Sequence, residues 1–182
     1  MITNPQIFTM CGMVNTLREN DMRRLDIMNR GTAIAYCKHE HISKTIMISI
    51  STSYIDYDEE PYIGNGNNIV DILRVSFVDA DGVGDLDVYG NKADESMMFS
   101  DEQASQIVEF VKAHEDCNII VHCDAGISRS SAVAASILRY YSGNDDSIFN
   151  SRFYAPNMWV YYKMLKAFGI DYAADGEIDG DI

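Results

Sequence analysis

The stretch Cys117-Asn118-Ile119-Ile120-Val121-His122-Cys123-Asp124-Ala125-Gly126-Ile127-Ser128-Arg129-Ser130-Ser131 decides the fold. Its first half is rich in β-branched apolar residues and reads as a buried strand over residues 118–122. A short loop with Gly126 follows, then a helix over residues 130–141 that Ser142-Gly143-Asn144 closes. A loop between a strand end and a helix N-terminus is a natural anion site. Its backbone N–H groups point inward, and the helix dipole adds partial positive charge. Gly126 lets the chain turn with no Cβ in the way. Arg129 brings a planar guanidinium that holds two oxygens of one anion, which a lysine cannot do.

The same surroundings act on Cys123. Helix N-termini and nearby arginines favour the thiolate, which is the nucleophilic form of cysteine. One electrostatic device thus serves both an anion and a nucleophile. Ser130 can support the sulfur when it leaves. His122 points away from the loop if the strand alternates, which gives it an orienting role rather than an acid-base one. A buried core cysteine is the plainer reading of Cys123 taken alone. The full spacing His-Cys-x-x-Gly-x-Ser-Arg-Ser at a strand-to-helix junction outweighs it.

Working outward, further strands are expected over residues 32–36, 45–51 and 73–78, all β-branched and apolar runs. Residues 15–29 read as a helix stopped by Arg30-Gly31. Ser100-Asp101-Glu102-Gln103 has the form of a capping box, so a helix is expected over residues 101–115, with Ile107, Val108, Phe110 and Val111 on one face. A last helix opens at Pro156 and ends before Gly169. Strands alternating with helices predict an α/β fold, a central mixed sheet flanked by helices. Residues 1–170 are expected to form one domain. Residues 171–182 carry five acids and no base and read as a frayed tail.

The 182 residues carry 28 acidic and 14 basic side chains, a formal net charge of -14. Such a chain repels nucleic acid and anionic membranes, so neither is expected as a partner. No apolar run approaches the roughly 20 residues of a membrane helix. Met1-Ile2-Thr3-Asn4-Pro5 lacks the pattern of a secretory signal. Four cysteines are sparse for a disulfide scaffold, which points to free thiols in a reducing cytoplasm.

Val121-His122-Cys123-Asp124-Ala125-Gly126-Ile127-Ser128-Arg129-Ser130-Ser131 resembles the phosphate-binding loop of the dual-specificity branch of the protein tyrosine phosphatases. The resemblance extends to Ser136-Ile137-Leu138 and to Ala155-Pro156-Asn157, similar to the proline-asparagine that opens a late helix in that branch. It covers about residues 70–168, and its compactness is closer to small prokaryotic or viral members. The resemblance implies a protein tyrosine phosphatase-like fold and a two-step reaction that needs no metal or cofactor. Cys123 attacks phosphorus, a phosphocysteine forms, and water hydrolyses it. Asp124, Ala125, Gly126, Ile127, Ser128 and Arg129 would then cradle the phosphate.

The family's general acid is an aspartate on a loop after another strand. Asp79, Asp81, Asp85 and Asp87 all lie beyond the strand expected at residues 73–78. Proximity to that strand ranks Asp79 first and Asp81 second. Asp79 lies 44 positions before Cys123, farther than is common in the family. Either residues 82–91 are an insertion, or Asp85 or Asp87 is the acid. Glycines at 82, 84 and 90 suit a mobile loop. A calcium loop starting at Asp79 fails, because its fifth and twelfth positions are Val83 and Gly90.

Cys37-Lys38-His39-Glu40-His41 has zinc-type ligands at alternate positions, which would share a face in a strand; a solvated strand-to-turn segment is the favoured reading. Cys11, Cys37 and Cys117 are candidate resolving thiols for Cys123, with buried free cysteines favoured. The aromatics of the C-terminal third read mostly as core, with Phe153 and Tyr154 as candidates for the pocket mouth. Relatives acting on phosphoinositides tend to carry lysines at the variable loop positions. Here those positions are Asp124, Ala125 and Ile127, which favours a phosphorylated protein side chain, phosphotyrosine first, over a polyphosphorylated headgroup. A phosphatase of a small metabolite and a silent phospho-binding domain are the competing readings.

Overall fold

The computed structural model describes residues 15–18 and 21–171. Five strands form one sheet in the order β1-β2-β5-β3-β4. They are β1 (Asn15–Arg18), β2 (Asp21–Asn29), β3 (Thr45–Ser51), β4 (Ile69–Ser76) and β5 (Asn118–Cys123). β1 runs antiparallel to β2 at one edge, and the other pairings are parallel, so the sheet is mixed as expected. The α-helices are α1 (Arg30–Cys37), α2 (Asp101–Ala113), α3 (Arg129–Ser142), α4 (Asp146–Phe149) and α5 (Met158–Phe168). The acidic tail expected at residues 171–182 lies outside the described residues from 172 onward.

Strand alternation divides the core. Leu25 and Ile27 of β2, Ile46, Ile48 and Ile50 of β3, and Ile119 and Val121 of β5 pack on one face against α2, α3 and α5. Met28, Met47 and Ile120 face the other way and cover Ala33 and Cys37 of α1. Cys123 has the parity of the first set and turns toward α3, while His122 has the parity of the second.

Two expectations at the N-terminal end are corrected. Residues 15–29 are strands, not a helix. Leu, Met, Arg and Glu favour a helix locally, but β2 pairs with β5 from Leu25↔Ile119 to Asn29↔Cys123, and that pairing overrides propensity. Arg23 is buried within it, its guanidinium 4.6 Å from the Tyr141 ring centroid. Residues 32–36 are helical, not a strand. Asn29 ends β2 and caps α1 in one step, its side chain accepting the Thr32 N–H at 2.8 Å. Arg30-Gly31 therefore starts a helix rather than stopping one.

Elsewhere the differences are at boundaries. β4 begins earlier than residue 73, since its pairing with β3 starts at Thr45↔Ile69, and it ends at Ser76. Beyond it the Phe77 N–H bonds the Ser51 carbonyl at 3.0 Å and the Val78 N–H bonds the Met97 carbonyl at 2.9 Å. α2 stops at Ala113, two residues short. The last helix opens after Pro156, with Asn157 as its N-cap. The short α4 has no counterpart in the sequence reading.

The capping box is present at α2. The Gln103 N–H donates to Ser100 Oγ at 3.2 Å, and the Ser100 N–H donates to Gln103 Oε1 at 3.1 Å. Replacing Ser100 with Ala is expected to cost about 1 kcal/mol. Urea denaturation should show a lower midpoint with an unchanged slope.

Candidate active site

β3, β4 and β5 run parallel, so their carboxyl ends meet at one edge of the sheet, where open α/β sheets bind ligands. β5 ends at Cys123 and α3 begins at Arg129, as the sequence requires. The loop between them closes against β2. Gly126 has φ +73°, and a Cβ there would sit 2.8 Å from Asn29 N and from Met28 C. Only glycine gives both the backbone angle and the approach.

Cys123 is 1 % exposed. Its Sγ accepts the Gly126 N–H at 3.3 Å and lies 3.2 Å from Ser130 Oγ. Arg129 is as deeply buried. Its Nη1 donates to the Phe77 carbonyl at 2.8 Å, Thr52 Oγ1 at 3.1 Å and the Ser51 carbonyl at 3.3 Å. Those bonds fasten the guanidinium to the ends of β3 and β4. Nη2 donates to Asp124 Oδ2 at 2.7 Å. Nε is buried and makes no hydrogen bond; its nearest carboxylate oxygen, Asp79 Oδ2, is 3.7 Å away. Burial opposes the charge on Arg129, but Cys123, Asp79 and Asp124 outweigh it and raise the guanidinium's pKa.

Asp79 is the aspartate brought to this site. Its Oδ1 accepts Ser128 Oγ at 2.7 Å and Asn157 Nδ2 at 3.0 Å. Asn157 also donates to the Ala80 carbonyl at 3.0 Å, while its Oδ1 caps the Val160 N–H of α5 at 3.0 Å. One buried side chain thus ties the aspartate's loop to α5. The backbone adds a bond from the Ala155 N–H to the Ile127 carbonyl at 3.1 Å. Asp81 is exposed in an open cleft of about 780 Å³ that shares Asp79 and Ser128 with the site and is also lined by Phe149, Tyr154 and Pro156. Tyr154 lines this neighbouring cleft, and Phe153 is mostly exposed.

Residues 82–93 form a side excursion. The Gly84 N–H meets the Ala93 carbonyl at 2.8 Å, and the Ala93 N–H returns to the Asp85 carbonyl at 2.9 Å. Buried Asp87 holds its tip together, accepting the N–H groups of Tyr89 at 2.9 Å and Asn91 at 2.8 Å and the hydroxyl of Tyr54. Its carboxylate is committed to the loop. This accounts for the long separation of Asp79 from Cys123: the extra residues leave the path and come back.

Asp124 has partners that the sequence did not reveal. Its Oδ1 accepts Arg30 Nε at 3.1 Å, and its Oδ2 accepts Thr52 Oγ1 at 3.0 Å and Tyr89 OH at 3.3 Å besides Arg129. Burial alone would raise its pKa. Hydrogen bonds from Tyr57, Arg129 and Thr52, with the charge of Arg129, bring it down to about 2. Arg30 also meets Glu60 at 3.0 Å and the Ile50 carbonyl at 3.2 Å, and lies 3.5 Å from the Tyr57 ring centroid. Read as a helix stop, Arg30 gave no sign of this role. The available signal was Asn29, a good N-cap three residues before Thr32.

His122 points to the opposite face, as alternation requires. Its Nε2 lies 2.8 Å from Ser49 Oγ of β3. Burial and the charge of Arg30 lower its pKa from 6.5 to about 4. The remaining cluster candidates separate. Cys37 ends a helix and its Sγ accepts the Tyr62 N–H at 3.4 Å, while His41 stacks on Tyr36, so the alternating face required for zinc does not form. Cys37, Cys117 and Cys123 are free thiols. Cys117 precedes β5, roughly 20 Å along the strand from Cys123, and is out of reach as a resolving partner. Cys11 lies outside the described residues.

The fold is found in known structures. Human DUSP28 superposes with a TM-score of 0.55 at 15% identity, over 86% of this chain and 96% of that one. The fold is a dual-specificity phosphatase fold. A mouse putative dual specificity phosphatase complexed with zinc tungstate gives 0.54 at 18% identity, covering 80% of this chain and 82% of that one. The human tyrosine phosphatase-like serine/threonine/tyrosine-interacting protein gives 0.53 at 15% identity, covering 84% and 93%. No protein-family model and no curated protein matches the sequence.

The shifted histidine has a sign that can be tested. Unfolded chain takes up a proton at His122 near pH 6.5, and the folded protein resists until about 4. Stability is therefore complete above pH 6.5 and is lost as pH falls toward 4, by at most roughly 3 kcal/mol. His122→Gln should flatten this part of the pH dependence of the urea midpoint; an equal slope in both proteins would contradict it.

Proposed function

We propose that the chain is a phosphatase of phosphate monoesters that works through a phosphocysteine on Cys123. The observation that carries this reading is the convergence on one buried sulfur. Gly126 N–H and Ser130 Oγ lie 3.3 and 3.2 Å from it, and the Nε of the buried Arg129 has no hydrogen-bond partner. The likeness to dual-specificity phosphatases supports it at the level of fold.

In the first step the Cys123 thiolate forms an S–P bond as the P–O bond to the leaving group breaks. Asp79, in its protonated form, gives its proton to that oxygen. In the second step water attacks phosphorus, the Asp79 carboxylate takes its proton, and the S–P bond breaks. Inorganic phosphate leaves, and the Ser130 hydroxyl hydrogen-bonds the departing sulfur. Backbone N–H groups of residues 124–129 and the Arg129 guanidinium carry the charge on the phosphoryl oxygens. Asp79 is preferred to Asp81 because its Oδ2 stands 3.7 Å from Arg129 Nε, whereas Asp81 is exposed.

Phosphotyrosine in a protein is the proposed substrate. The nucleophile is buried, and Ile127 and Tyr89 stand exposed near it, so a long aryl phosphate reaches the sulfur more readily than a seryl one. The free thiols of Cys37, Cys117 and Cys123, the cysteines among the described residues, support a reducing, cytoplasmic setting.

Cys123→Ser should reduce p-nitrophenyl phosphate turnover to background while phosphate still binds; activity above a few percent would sink the thiolate mechanism. Asp79→Asn should slow alkyl phosphates by about 10²–10⁴ but aryl phosphates far less, because phenolates leave without a proton. If Asp81→Asn gives that selective loss and Asp79→Asn does not, the acid is Asp81. A wild type that binds phosphopeptides without turnover would make the chain a phospho-binding domain.

A further inference from the structure

The Arg129 guanidinium has one edge for a ligand. Nη1 is committed to three oxygens of the scaffold. Nε and Nη2 form the remaining pair, the geometry that grips an oxyanion through two parallel bonds. Nε is buried and has no hydrogen-bond partner, whereas Nη2 is already bonded to Asp124 Oδ2 at 2.7 Å. An internal carboxylate, one residue from the nucleophile, is thus bonded to Nη2 beside the anion grip.

Asp124 is not a casual occupant. Thr52 Oγ1 at 3.0 Å and Tyr89 OH at 3.3 Å hold the same oxygen, and Arg30 Nε holds the other at 3.1 Å. A phosphate dianion taking both Nε and Nη2 must displace Oδ2 or bear its charge at close range. Arg30 offers a way out. It can keep Oδ1 while Oδ2 swings off Arg129, because Glu60, the Ile50 carbonyl and the Tyr57 ring fix Arg30 independently.

We propose that Asp124 is an internal competitor for Arg129, a carboxylate that weakens the hold of the loop on every phosphate ligand. The phosphoryl group of any ester meets the same charge beside Nη2, so the cost falls alike on large substrates, small substrates and the product. After hydrolysis only phosphate remains, and the carboxylate speeds its departure. This rests on the phosphatase reading for its meaning, although the competition itself is a property of binding.

The test is calorimetric binding of inorganic phosphate to wild type, Asp124→Asn and Tyr89→Phe. Asp124→Asn removes the competing charge and keeps the side chain's size, so phosphate should bind at least about tenfold tighter. Adding Arg129→Lys should abolish the gain. Tyr89→Phe, at an exposed position, loosens the hold on Oδ2 and should give a smaller gain; it decides the matter if Asp124→Asn does not fold. In turnover, the KM for p-nitrophenyl phosphate should fall in Asp124→Asn, and phosphate should become a stronger product inhibitor by a similar factor. Unchanged or weaker phosphate binding in the folded variants overturns the proposal. Tighter binding in a protein with no turnover would leave the competitor standing and refute the phosphatase reading; turnover with unchanged binding would do the reverse.

Discussion

The anchoring of Arg129 is the constraint on which the rest of the site depends. A guanidinium buried to 1 % exposure needs acceptors, and one nitrogen finds three of them at the ends of β3 and β4. Those acceptors come from chain segments far apart in sequence, so the arginine joins two strand ends to the first turn of α3. Once it is fixed, Nε, which has no hydrogen-bond partner, has one direction, and Cys123 at the end of β5 is close enough for its charge to act on the guanidinium. The burial that makes the charge costly also makes it effective, since there is little water to screen it.

The central loop was legible because its signals are local. A β-branched run, a glycine and a capped helix follow one another within 26 residues, and each favours the conformation it adopts. The capping box at Ser100 and Gln103 is likewise a short-range pattern. The N-terminal end was misread because there the decisive contacts are distant. β2 consists of residues that would form a good isolated helix, and its pairing with β5, some 90 positions later, draws it into the sheet. The misreading passed to α1 and hid Arg30, whose importance comes from lying beside Asp124.

The aspartates show the same division. Sequence placed four of them after one strand and could not rank them by surroundings. Asp79 is held beside the Cys123 loop by Ser128 and Asn157, residues 49 and 78 positions away. Asp87 is held in its own loop, its oxygens bonded to Tyr54, Tyr89 and Asn91. Asn157 belonged to a short motif in the sequence, yet its double duty, capping α5 and steadying Asp79, is visible only in three dimensions.

The excursion at residues 82–93 bears on how this chain can change length. Its two ends are stitched together by the bonds between Gly84, Asp85 and Ala93, so the path from β4 to α2 is nearly continuous without it. Residues added or removed at its tip leave Asp79 and the helix beyond where they are. The junction of β2 and α1 offers no such slack, because Asn29 is at once the last strand residue and the helix cap. A single inserted residue there would shift Arg30 along the sheet edge and open the contact of Gly126 with Met28 and Asn29. The spacing between Asp79 and Cys123 is thus an elastic quantity in this architecture, while the spacing between β2 and its helix is rigid.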